Sequence, residues 1–125
     1  MTTILLVEDN ELNRDMLTRR LQRKGFEIES AGDGEEALQK IARSLPDLVL
    51  LDMNLPIRNG WSTCRELRAN ESTKQLPIIA LTAHAMADDE QKALQAGCND
   101  YTTKPIDFPL LLAKIDQLLS SKNDS

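Results

Sequence analysis

Three stretches of this chain are short and wholly apolar: Ile4-Leu5-Leu6-Val7, Leu48-Val49-Leu50-Leu51 and Ile78-Ile79-Ala80-Leu81. A strand with one face in water alternates apolar and polar residues, so an unbroken apolar run demands cover on both faces. A parallel sheet between two layers of helices meets that demand. The segments between the runs carry the matching helical patterns. Leu12, Met16, Leu17 and Leu21 recur between Glu11 and Lys24, and Gly25 supplies a stop. Ala37, Leu38, Ile41, Ala42 and Leu45 mark a second helix face, ended by Pro46. Trp61, Cys64 and Leu67 suggest a short third helix behind a loop punctuated by Pro56 and Gly60. Ala85 to Ala96 reads as a fourth with a thin apolar face filled mostly by alanine, and Gly97 ends it. Asp107 can cap a fifth helix, with Phe108, Leu111, Leu112, Ile115, Leu118 and Leu119 on one side.

Two weaker strands complete the alternation. Phe26-Glu27-Ile28-Glu29 alternates apolar and charged residues, Gly32-Asp33-Gly34 reads as a turn, and Tyr101-Thr102-Thr103 is polar. Neither strand tolerates burial on both sides, so both belong at sheet edges. The expected fold is α/β, a doubly wound five-stranded parallel sheet in the order 2-1-3-4-5, with right-handed crossovers and helices on both faces. A chain of 125 residues fits one domain, expected over residues 1–120, with 121–125 as a polar tail.

Composition narrows the function. With 15 basic and 20 acidic side chains the net charge is −5, which disfavours a nucleic-acid partner. No apolar run approaches a membrane span, and the start of the chain lacks the features of a secretory signal, so the expectation is a cytoplasmic protein without membrane insertion. Cys64 and Cys98 have neither metal-ligand nor disulfide-framework spacing and read as reduced thiols.

In such sheets ligands sit beyond the carboxyl ends of the strands, at the switch point between strands one and three. The residues that end the strands there are Glu8 and Asp9, Asp52, Thr82 and Lys104. Each alone could be a helix cap or a solvated loop residue. Together they put three carboxylates, a hydroxyl and an ammonium on one rim. Crowded carboxylates repel one another, and a hard divalent cation relieves the repulsion; an oxygen-only ligand set suits Mg²⁺. Asp52 is then a candidate carboxylate nucleophile forming an acyl phosphate, with Lys104 and Thr82 meeting the phosphoryl oxygens.

Glu8-Asp9, Asp52-Met53-Asn54-Leu55-Pro56 with Gly60, Thr82-Ala83 and Lys104-Pro105 resemble, as a set, the response-regulator receiver domains of two-component and phosphorelay systems, in their single-domain, chemotaxis-regulator-like form. The resemblance covers nearly the whole chain and implies the flavodoxin-like version of the fold. It implies Asp52 as phosphoacceptor, and Asp9, Asp52 and the Asn54 carbonyl as Mg²⁺ ligands. Glu8, where the family more often has Asp, would act through water. It implies a cis Lys104-Pro105 bond, a switch pairing Thr82 with Tyr101, and tuning of phosphoryl lifetime by Asn54 and His84. The partners implied are a histidine kinase or histidine phosphotransfer protein, met by the first helix, and a downstream protein that reads the surface from the fourth helix to the fifth. The first helix is basic through Arg14, Arg19, Arg20, Arg23 and Lys24, which reads either as a solvated face or as that docking contact. Glu8-Asp9-Asn10 with Asn13-Arg14, and Thr82-Ala83-His84-Ala85-Met86, resemble receivers of hybrid sensor kinases.

Such a chain is a regulator and not an enzyme with an external substrate. The competing reading is a Mg²⁺-dependent phosphohydrolase with an aspartyl nucleophile, which generally carries a second Asp two places on as general acid. Asn54 stands there and cannot move a proton. A flavin carrier of the same fold is disfavoured because Glu8-Asp9 would repel the flavin phosphate.

Overall fold

A computed structural model of the chain describes residues 2–53, 55, 60–82 and 87–123, and of 87–90, 93 and 121–123 the backbone only. Five strands and five helices alternate: β1 (Thr3–Val7), α1 (Glu11–Arg23), β2 (Glu27–Ala31), α2 (Gly34–Arg43), β3 (Leu48–Asp52), α3 (Gly60–Ala69), β4 (Ile78–Thr82), α4 (Ala87–Ala96), β5 (Asp100–Thr103) and α5 (Phe108–Asn123). The strands form one parallel sheet in the order β2-β1-β3-β4-β5, as the edge argument requires. Ile4 pairs with Leu48, Val49 with Ile78 and Ile79 with Asp100, so the strands end in step at one rim.

The period of two along each apolar run divides the core in half. Leu5, Val7, Val49, Leu51, Ile78 and Ala80 face one layer, where α2, α3 and the end of α4 contribute Ala37, Ile41, Cys64, Leu67 and Ala96. Ile4, Leu6, Leu48, Leu50, Ile79 and Leu81 face the other, closed by Leu17 and Leu21 of α1 and Leu111 and Ile115 of α5. Every residue of β3 and β4 is buried, whereas β2 alternates and β5 is only part-buried.

The helices depart from expectation in three places. Of the four apolar residues of α1, Leu17 and Leu21 are buried but Leu12 and Met16 are 81% and 54% exposed. At about 100° per residue the two pairs point about 140° apart, so they form two stripes and only one can meet the sheet. In α2 the helix ends at Arg43, because Pro46 drives the preceding residues extended; Leu45, expected on the buried face, is 55% exposed. Finally, α5 runs to Asn123, into the segment 121–123 expected as tail.

Candidate functional site

The rim is built by backbone pairing that continues just past the strand ends. The Glu8 N–H donates to the Ala31 carbonyl at 3.0 Å, the Met53 N–H to Leu81 at 3.0 Å, and the Lys104 N–H to Thr82 at 2.8 Å. These bonds bring Glu8, Asp9, Asp52, Thr82 and Lys104 to one end of the sheet. Glu8 and Asp52 are buried, 1% and 2% exposed, although both are acids, and Asp9 is exposed. One oxygen from each of Glu8, Asp9 and Asp52 lies within 4.8 Å of the others. The Lys104 ammonium donates to Asp52 Oδ2 at 2.8 Å and to Glu8 Oε2 at 3.2 Å, and the Lys104–Pro105 bond is cis.

The electrostatics follow from crowding. Burial, then the charge of Asp52 and a hydrogen bond shared with it, push the Glu8 carboxyl above its ordinary range against the pull of Lys104. Burial alone would lower the Lys104 ammonium. The hydrogen bond and charge of Asp52, followed by those of Glu8, outweigh it and hold the group above its usual value. Lys104 is therefore a permanent cation at the rim.

Two residues set this geometry without being functional groups themselves. A Cβ at Gly60 would lie 2.5 Å from the Asp52 carbonyl oxygen and 2.7 Å from Met53 Cα, so only glycine lets α3 start directly behind the end of β3. Arg14, expected on the outer basic face of α1, is instead half-buried and donates from Nη1 to the Glu8 carbonyl at 3.0 Å. The α1 pattern could have shown its burial, because Arg14, Leu17 and Leu21 follow one another at spacings of three and four residues along one side. The Glu8 carboxylate is tied further by the Asn10 N–H at 3.2 Å.

Tyr101 lies one strand over, half-buried, with the Lys114 ammonium 4.7 Å above its ring; the same ammonium donates to the Tyr101 carbonyl and pairs with Asp100 at 3.1 Å. Nothing in the sequence reading pointed to Lys114, because its role depends on α5 packing across β5. Asn54 and His84 lie outside the described residues. The remaining α1 cations are spread out: Arg19 pairs with Asp15 at 3.6 Å in solvent, and Arg20 stacks over the Phe108 ring at 5.1 Å.

Comparison with known proteins gives this arrangement a family. The family model described as "Response regulator receiver domain" matches residues 4–116. The polar-differentiation response regulator DivK of Brucella ovis is 36% identical over 117 residues, covering 94% of this chain and 95% of DivK. The response regulator PleD of Caulobacter vibrioides is 37% identical over 95% of this chain, which spans only 26% of PleD. Among solved structures, the receiver domain of the Pseudomonas aeruginosa sensor histidine kinase PA1611, with a magnesium ion coordinated in its active-site cleft, has 38% identity and a TM-score of 0.89, covering 95% of this chain and 98% of that one. Vibrio cholerae chemotaxis protein CheY4 has 30% identity and a TM-score of 0.88, covering 94% and 98%. With fold, rim residues and sequence in agreement, the chain belongs to the response regulator receiver domain family.

Proposed function

We infer that this receiver is a phosphoacceptor switch, which takes a phosphoryl group from a partner's phosphohistidine onto Asp52 and presents a changed surface to a downstream protein. The observation that carries this reading is a buried carboxylate, Asp52, held 2.8 Å from a fixed ammonium inside a cluster of three acids. Phosphoryl transfer asks a protein mainly for placement of groups and charge. An Asp52 oxygen attacks phosphorus as the bond to the partner's imidazole nitrogen breaks, leaving an acyl phosphate on Asp52 and an imidazole that takes up a proton. Lys104 sets its charge against the phosphoryl oxygens, and Thr82 supplies a hydroxyl to another.

The donor set fits Mg²⁺, a hard ion that takes oxygen ligands and keeps several waters. Asp9, Asp52 and the Asn54 carbonyl would hold it, with Glu8 acting through water. The bound ion supplies positive charge that offsets the acids and the incoming phosphoryl oxygens. The magnesium in the PA1611 receiver supports this assignment.

Movement of Thr82 toward the phosphoryl group frees space for the Tyr101 ring to turn inward, biasing a pre-existing equilibrium of the surface from α4 to α5. Asn54 and His84 tune how long the phosphoryl group survives. The donor, a histidine kinase or histidine phosphotransfer protein, docks along the exposed stripe of α1. Leu12 and Met16 provide apolar anchors there, and Arg19, Arg20 and Arg23 a positive rim. A cleft of about 470 Å³ lined by Met16, Arg20, Glu8 and Lys104 connects that stripe to the acids. The protein catalyses its own loading and slow release and turns over no separate substrate. No described helix is long and apolar enough to cross a membrane, and the reading puts the protein in the cytoplasm.

The test is labelling by a small acyl-phosphate donor. Wild-type protein takes up one phosphoryl group and Asp52→Asn takes up none. Undiminished labelling of Asp52→Asn overturns the assignment.

A further inference from the structure

Cys64 on α3 and Cys98, in the turn between α4 and β5, are 34 residues apart in sequence, yet their Sγ atoms lie 3.5 Å apart. Both are buried, 0% and 5% exposed, in the core layer under α3. Buried thiols in an apolar layer are commonly inert filling. Here the two sulfurs touch each other, and their spacing is held from outside by one side chain. Arg68, one turn beyond Cys64 on α3, holds the residues on both sides of Cys98, one by its carbonyl and one by its side chain. Its Nε donates to the Gly97 carbonyl at 2.8 Å and its Nη2 to Asn99 Oδ1 at 2.8 Å. Its other nitrogen, Nη1, donates to the Thr73 and Lys74 carbonyls, so the guanidinium is fixed at both ends. Gly97 sits at φ +110, and a Cβ there would meet Arg68 Cγ at 2.5 Å, so the glycine is what lets the clamp close.

The sulfurs are also unequal. The hydrogen bond shared with Cys98 lowers the Cys64 thiol below its ordinary range, against burial, with help from Arg68 and Arg65. The same bond, burial and the Cys64 charge push Cys98 up. The lowered thiol, Cys64, is the better placed of the two to attack.

We propose that Cys64 and Cys98 form a reversible dithiol site for hydrogen peroxide, with Cys64 attacking and Cys98 resolving to an intramolecular disulfide that ties α3 to the turn entering β5. In the first step the Cys64 sulfur bonds to one peroxide oxygen, the O–O bond breaks, and the leaving hydroxide takes the Cys64 proton as water. Cys64 becomes a sulfenic acid. In the second, the Cys98 sulfur bonds to the Cys64 sulfur, the S–O bond breaks, and the departing hydroxide takes the Cys98 proton as a second water. The two thiols lose two electrons and two protons, and one peroxide becomes two waters. The oxidant is water-sized because the pair is buried: a bulky disulfide has no room to form a mixed disulfide beside a sulfur that is 5% exposed. Closing the bond brings the sulfurs from 3.5 Å to about 2.05 Å. In a reducing cytoplasm such a bond is transient, and a dithiol reductant returns it to the two thiols. The resulting loop encloses all of β4 and α4 and is anchored next to the strand that carries Tyr101.

The experiment treats native wild-type protein with hydrogen peroxide, quenches, denatures, and counts alkylatable thiols by intact mass. The expected result is a loss of both thiols with a mass lower by about 2 Da, a linked Cys64–Cys98 peptide, and full recovery with dithiothreitol. Cys98→Ser stops at a sulfenic acid on Cys64 that a cyclic 1,3-dione captures. Two thiols still alkylatable after treatment, or a disulfide found only between chains, overturns the proposal. The readout is independent of phosphorylation, so its failure is separate from failure of the Asp52 assignment.

Discussion

Glu8 is an acid 1% exposed with Asp52 beside it, and the fold binds its proton more tightly than the unfolded chain does. The contribution of Glu8 is full below its ordinary value of 4.5 and is lost as pH rises through the raised one, so ionised Glu8 burdens the metal-free protein at neutral pH. Glu8→Gln, which keeps the shape without the charge, should therefore raise the melting temperature in chelator at neutral pH, and the gain should shrink in acid. A loss of stability at neutral pH would mean that the Lys104 pair outweighs the crowding. Gly60 makes the opposite demand, for space. Gly60→Ala puts a methyl 2.5 Å from a backbone oxygen that cannot swing away. Overpacking of this kind costs about 1–3 kcal/mol, to be read as a lower urea midpoint; an unchanged midpoint contradicts the close approach. At this scale the rim acids, Thr82 and Lys104 were legible because each ends a strand. The buried side of α1 that carries Arg14 was legible in its spacing, but its Glu8 carbonyl partner, and Lys114 with the Tyr101 ring and carbonyl, come together only when α1 and α5 pack.

Among the elements, the helix starts show how far local chemistry reaches. Asp107 accepts from the Leu110 N–H at 3.2 Å, as its position ahead of an apolar face suggests. Asn10 caps α1 by accepting from Asn13 at 3.0 Å, and Asp33 caps α2 by accepting from Glu36 at 2.8 Å. Asp33 stands between two glycines and so reads as part of a turn, although Gly34 is already helical. Asp33→Ala should cost about 1 kcal/mol of stability, measured by urea unfolding, and no change would mean that the cap is replaced by water at no cost. On the opposite edge, β5 is polar and held to α5 through Lys114. Lys114→Met should speed amide hydrogen exchange in residues 100–103 while leaving β1 and β3 protected; equal protection in both proteins would mean that the lysine contacts add nothing.

At the level of the whole molecule, the sheet order and layering were fixed by patterns that survive without tertiary knowledge. Continuous apolar runs need two covered faces, and polar or alternating strands need an edge. The α1 stripes show where such reasoning fails: Leu12 and Met16 look like core by spacing, and only the direction of the helix relative to the sheet exposes them. The rim concentrates negative charge that folding alone does not neutralise, so a cation bound there adds to global stability by mass action. Mg²⁺ at about a hundred times its dissociation constant should add about 2.7 kcal/mol, seen as a rise in melting temperature that a chelator reverses. The most direct test of the account is to label the wild-type protein with a small acyl-phosphate donor, with Mg²⁺ and with chelator, and map the product by mass spectrometry. The account predicts a single increment of about 80 Da on the peptide carrying Asp52, formed only with Mg²⁺. An increment on another residue, or one that forms equally fast in chelator, would contradict it.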